Sequence, residues 1–159
     1  MIFQHSWKAV LDGTKTQTRR LCKPGDFARN FWGTALGDDL RIGMSGDNNR
    51  IGRVFSQSRL KWQVLETYAV QPGRGQKAIT RIRITGIRQE RLQDISEEDA
   101  VAEGMPFHEY FVGYGGWSER SVNPRDRYAA LWDTIHTKRG TRWNQNPLVW
   151  VLTFEAVQS

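Results

Sequence analysis

Gly13-Thr14-Lys15-Thr16-Gln17-Thr18-Arg19-Arg20 packs three hydroxyls and three cations into eight residues that include no apolar side chain. Before it, Phe3, Trp7, Val10 and Leu11 recur at i, i+4, i+7 and i+8, which predicts a short helix with Gly13 as its C-terminal cap. After it, Leu21 and Cys22 restore apolar character. The chain therefore leaves a helix at Gly13 and enters an exposed or cleft-lining strand. Two readings of that strand stay open. Thr favours extended backbone and charges protect a sheet edge, so it could be a solvated edge strand. Alternatively, its density of donors handles a polar ligand.

Composition narrows the classes. At 159 residues, the chain suits one domain that buries roughly two-thirds of the surface its unfolded form exposes. The lone Cys22 has no internal disulfide partner, and His5, His108 and His136 are too scattered to suggest a metal site. No metal or other cofactor is expected. The opening residues carry no basic-then-apolar signal pattern, and no apolar run is long enough to cross a bilayer. A cytoplasmic protein with no membrane association is the expectation. Residues 1–91 carry 17 Lys and Arg against 7 Asp and Glu, whereas residues 92–159 carry 6 against 10. An anionic partner would dock on the basic half, because such a surface concentrates anions before any specific contact forms.

From Lys23 to about Arg59 the pairs Pro24-Gly25, Gly37-Asp38, Gly46-Asp47 and Asn48-Asn49 are turn chemistry, so loops and short strands are predicted. Leu60 to Val70 reads as extended, and Gln71-Pro72-Gly73-Arg74-Gly75 as a turn. Lys77 to Ile87 is a half-buried strand, with Thr80, Ile82 and Ile84 on one face and the cations Lys77, Arg81 and Arg83 on the other. Ser96 opens a short helix with Asp99 three residues on, and Gly104 caps its end. Glu103, at that negative helix end, is unfavourable by roughly 0.3–1 kcal/mol and asks for a reason. Pro106 to Val122 combines aromatics with Gly113, Gly115 and Gly116, which suits a mobile lid and equally an ordered loop covering the core. Asn123 and Pro124 start a helix whose Tyr128, Leu131, Trp132 and Ile135 form a core stripe ending by Gly140. Leu148 to Glu155 is a strongly apolar, central strand.

Strands and helices in this order predict an α+β fold, a curved sheet or small open barrel with helices at its ends. Gly13-x-Lys15-x-x-Thr18-x-Arg20, directly after an N-terminal helix, resembles the signature of ASCH-domain proteins in the PUA-like superfamily. Residues 90–104, and Leu131-Trp132-Asp133 followed by residues 143–151, resemble larger phage and bacterial members. The resemblance implies a single ASCH domain over residues 1–159, built as a small PUA-like open β-barrel with flanking helices. It also implies kinship with bacterial N4-acetylcytidine amidohydrolases, whose catalytic Lys, Thr and Glu fall on Lys15, Thr18 and Glu103. Many ASCH members carry Glu where this chain has Thr18.

On that reading the protein hydrolyses N4-acylated cytidine or cytosine to cytidine and a carboxylic acid. Thr18 would be the nucleophile, Lys15 its base, and Glu103 a proton relay or anchor for the cytosine amine. A water activated by Glu103, with Thr18 positioning it, is the other route. Residues three apart on a straight strand point to opposite faces, so the chain must bend near Lys15. Arg20, Glu66, Tyr114 and Trp117 are expected to bind substrate. The lid would admit acyl groups bulkier than acetyl. An RNA-binding or RNA-cleaving protein, with Lys15 and Arg20 on phosphate, is the alternative. A phage or mobile-element accessory domain that only binds a partner is a third class.

Overall fold

The computed structural model describes residues 1–4, 6–32, 35–37, 59–105, 110–111, 117–118 and 123–157. Its elements are α1 (Trp7–Leu11), β1 (Gln17–Leu21), β2 (Asp26–Arg29), β3 (Ala35–Leu36), β4 (Arg59–Gln63), β5 (Thr67–Val70), β6 (Thr80–Arg91), α2 (Glu97–Ala102), β7 (Tyr110–Phe111), β8 (Trp117–Ser118), α3 (Pro124–Ile135) and β9 (Leu148–Val157). An antiparallel sheet of order β1-β9-β6-β5 carries the fold; β3-β2-β4 forms a second sheet and β7-β8 a two-stranded pair. The architecture is α+β, as the order of elements predicts, with helices against open sheets.

β9 lies between β1 and β6, and burial on both faces explains its nearly unbroken apolar run. Val149 and Val151 point to one face, where they pack with Leu92, Ile95 and Ala100 and with Tyr128 and Trp132 of α3. Trp150 and Leu152 point to the other, against Ala28, Trp62 and Val64 of the second sheet region. Phe154 on that same face joins Phe3, Val10, Val70 and Ile82. β6 alternates as expected, with Ile82 and Ile84 fully buried and Arg81 and Arg83 exposed. A register shift between Ile84 and Gly86 interrupts its ladder with β9.

Four element boundaries differ from the sequence expectation. Phe3 precedes α1, because Ile2 and Phe3 bind Gln71 beyond the end of β5 in a bridge, with Phe3 N donating to Gln71 O at 2.9 Å. The extended stretch from Leu60 is divided by a turn at Val64–Leu65, where Leu65 has φ 71°. Lys77 lies just before β6. α3 stops at Ile135 rather than running to Gly140: His136 stacks on Trp132 at 4.0 Å, and Gly140, at φ 86°, serves a later turn by donating to Gln145 Oε1 at 2.6 Å. The two expected caps are made. Asp99 N donates to Ser96 Oγ at 3.1 Å and Arg125 N to Asn123 Oδ1 at 2.8 Å. The expected lid, Pro106 to Val122, lies outside the described residues except for the short β7-β8 pair. Among the described residues, no helix is long and apolar enough to cross a membrane.

Candidate active site

The chain does bend before β1. Asp12 Oδ1 accepts from Thr14 N at 2.9 Å and from Thr14 Oγ1 at 2.6 Å, a local turn closed by Gly13 at φ 80°. Lys15 N then donates to Ala9 O at 2.8 Å and Thr16 N to Ala102 O at 2.9 Å, which sets Lys15 between the end of α1 and the end of α2. The strand begins at Gln17. Thr14 is thus a turn residue and Thr16 is exposed, whereas Lys15, Gln17, Thr18 and Arg19 are buried. Of the two readings of this strand, the solvated one fails. β1 is an edge strand, but N-terminal residues and α3 cover it.

Between those coverings lies a cavity of about 180 Å³ lined by Lys15, Thr18, Arg19, Arg20 and Glu103, among others. Ile2 and Phe3 form one wall, and Tyr128, Leu131, Trp132 and Ile135 of α3 form the opposite one. The α3 stripe, expected to be core alone, therefore also lines the cavity. Three consecutive strand residues can reach one cavity because β1 presents its open edge rather than a single face.

Lys15 Nζ donates to the Glu103 backbone oxygen at 2.6 Å and to Glu103 Oε2 at 2.5 Å, with both side chains buried. One ammonium thus meets the carbonyl at the end of α2 and the carboxyl that sits unfavourably beside it, which accounts for Glu103 at that position. Glu103 Oε1 accepts from Tyr128 Oη and from Arg19 Nη1, each at 3.4 Å. Burial lowers the Lys15 pKa from 10.5, opposed by Glu103 and assisted by Arg20 and Arg19. Burial also raises the Tyr128 phenol well above 10, so it remains a donor at neutral pH.

Arg19 and Arg20 are consecutive and have opposite environments. Arg19 Nη2 reaches Glu90 Oε1 and Asp99 Oδ2, both at 2.6 Å, and its Nη1 reaches Gln17 Oε1 at 2.9 Å. Arg88 joins the same two carboxylates from outside. Arg20 makes no salt bridge among the described residues: Nη2 donates to Ile2 O at 2.8 Å, Nε is buried without an acceptor, and the guanidinium lies 5.2 Å from the Phe3 ring. Burial lowers its pKa below the ordinary arginine value, with Glu103 opposing. Arg19 is a structural cation and Arg20 is left with unused donor capacity.

Of the other expected binding residues, Glu66 does not line this cavity. Glu66 is exposed on the turn before β5, where its backbone accepts from Ile84 N at 3.1 Å, and it lines neither this cavity nor the one beside it. Tyr114 lies outside the described residues and Trp117 lies on β8. Two lining groups escaped the sequence reading. Tyr128 was absorbed in an apolar stripe, though a buried phenol that must find a hydrogen-bond partner was a signal available there. His136, whose pKa burial lowers from 6.5, gave no motif. Among the described residues, no three His, Cys, Asp or Glu side chains are placed to hold a metal ion.

No protein family and no curated protein matches the chain by sequence. Solved structures do match. The chain superposes on protein EF3133 from Enterococcus faecalis, of family DUF984, with a TM-score of 0.51 at 15% identity, covering 94% of this chain and 65% of that one. The two share a fold. An ASCH domain from Lactobacillus crispatus is also similar, with a TM-score of 0.48 at 15% identity over 94% of this chain and 68% of that one. This chain thus spans somewhat less than two-thirds of EF3133.

Proposed function

We propose that the protein is an amidohydrolase that removes the acyl group from N4-acylated cytidine or cytosine, giving cytidine and a carboxylic acid, in the cavity beside β1. The observation that carries this reading is the meeting of Lys15, Thr18 and Glu103, from segments up to 88 residues apart, around one cavity. The sequence resemblance assigns the same three residues, and it is the source of the cytidine substrate.

Thr18 Oγ1 attacks the acyl carbonyl carbon while its proton passes to the neutral amine of Lys15. The C–N bond then breaks, and N4 leaves as the amine of cytidine with the proton from Lys15. A water hydrolyses the resulting Thr18 ester, giving one proton to Lys15, which returns it to Thr18 Oγ1 as the carboxylic acid departs. Burial favours the base, because it disfavours the ammonium form of Lys15. Both oxygens of Glu103 are already engaged, by Lys15 on one side and by Tyr128 and Arg19 on the other. That geometry favours Glu103 as the group that holds Lys15 over Glu103 as the activator of a water.

The cationic side of β6 is separate from this machinery. Arg81 is held by Thr67 Oγ1 at 2.8 Å and Arg83 faces Glu155 at 3.4 Å, and neither lines the cavity. Purified protein incubated with N4-acetylcytidine should release cytidine and acetate in equal amounts, read by chromatography. Absence of cytidine with folded protein overturns the reading, and strand breaks in RNA under the same conditions support the nuclease alternative.

A further inference from the structure

A second cavity, about 580 Å³, adjoins the first and shares Ile2, Arg20, Ile135 and His136 with it. Besides Arg20 it is lined by Lys23, Lys61 and Lys138, whose ammonium groups come from three separate segments. The one carboxylate in its lining, Asp26, faces Arg59 at 3.9 Å. Lys61 lies 5.7 Å from the ring of Trp62, which lines the same space. The outer cavity is therefore cationic, with one aromatic wall.

Size links the two spaces. The inner cavity, at about 180 Å³, is below the roughly 300–1,000 Å³ usual for ligand pockets, so it suits part of a nucleoside rather than all of one. A ligand with its base and acyl group against Lys15 and Thr18 must extend past Arg20 into the outer cavity. Arg20 stands at that junction as a half-buried guanidinium that makes no salt bridge among the described residues and whose Nε is buried without an acceptor, whereas its neighbour Arg19 is paired with Glu90, Asp99 and Glu103. A cation drawn partly out of water with no carboxylate beside it is costly, and an anionic ligand group lowers that cost.

We propose that the outer cavity is a phosphate subsite, so that the ligand is a pyrimidine nucleoside 5′-monophosphate, with Arg20 and the three lysines meeting its phosphate. The pyrimidine part of this assignment rests on the amidohydrolase reading; the phosphate part rests on the lining of the cavity. Equilibrium binding of cytidine 5′-monophosphate, cytidine, inorganic phosphate and a short RNA oligonucleotide tests it without turnover. The monophosphate binds about tenfold or more tighter than cytidine at low salt, a margin typical of charge-assisted contacts. In the Lys23→Gln, Lys61→Gln, Lys138→Gln triple variant, whose side chains are exposed or half-buried, that ratio falls toward one while the melting temperature is kept. Equal affinities for the monophosphate and cytidine in the wild type, or a ratio unchanged in the folded triple variant, overturn the proposal. Inorganic phosphate binding as tightly as the monophosphate makes it a free-anion site, and oligonucleotide binding without monophosphate preference makes it a polymer-backbone site; either result overturns it too. A monophosphate preference without deacylation leaves the subsite standing and removes the hydrolase reading, and deacylation without that preference does the reverse.

Discussion

Lys15 carries two duties that a single substitution can separate. It satisfies the buried end of α2 through the Glu103 carbonyl, and in the proposed reaction it takes the proton of Thr18. Lys15→Arg keeps a cation near Glu103 but removes the group able to lose a proton, so cytidine release should fall by at least ~100-fold, the low end of general-base contributions. Thr18→Ala should fall comparably and Thr18→Ser keep partial activity; a Thr18→Ala protein as fast as wild type would transfer the nucleophile to water. Because the base acts as the neutral amine and burial lowers its pKa from 10.5, kcat/KM rises with pH and levels off at a pH below 10.5. A rate that is flat or falling across pH 7–10 in folded protein would remove Lys15 as the base. The resemblance named Lys15, Thr18 and Glu103, and these three line one cavity; of them only Glu103 stood out from the residues alone, at a helix end that disfavours it. The Arg19 network was not legible, since Glu90, Asp99 and Glu103 lie 71 to 84 residues away and no local pattern pairs them. Glu66 shows the converse: a carboxylate without a positional anomaly is a surface turn residue.

At the scale of elements, the end of α2 is the hinge of the site. Gly104 has φ 90°, and a Cβ there would lie 3.4 Å from the Ala9 Cβ and 3.6 Å from the Lys15 Cβ. Gly104→Ala strains the backbone at the point that sets Lys15, so it should lower both stability and turnover. Equal melting temperature and full activity in that variant would show that the helix end does not hold Lys15. At the other end of α2, Ser96→Ala removes the bond from Asp99 N and should cost about 0.5–2 kcal/mol in denaturant unfolding. Caps, the alternation of β6 and the apolar run of β9 were readable because each is a local signal. The division of the extended stretch at Leu65 and the stop of α3 at Ile135 were not. The latter depends on a ring stack between Trp132 and His136, four residues apart, which periodicity treats as helix continuing.

Across the whole molecule, the uneven charge resolves into distinct places. Some cations pair with carboxylates of the acidic half, as Arg19 and Arg88 do with Asp99, and others line the outer cavity beside β1. Arg81 and Arg83 of β6, and Lys77 just before it, stand apart, so their joint replacement by Gln should leave hydrolysis of an uncharged nucleoside within about twofold, as expected of surface charges that only steer weakly. A large loss of that activity would place the active surface on β6 instead. The measurement that bears most directly on the central claim is cytidine release from N4-acetylcytidine by wild type, Lys15→Arg and Thr18→Ala, each first shown by melting to be folded. Stoichiometric cytidine and acetate from the wild type, with both variants nearly silent, is the predicted result; no release from the wild type, or undiminished release from both variants, contradicts it.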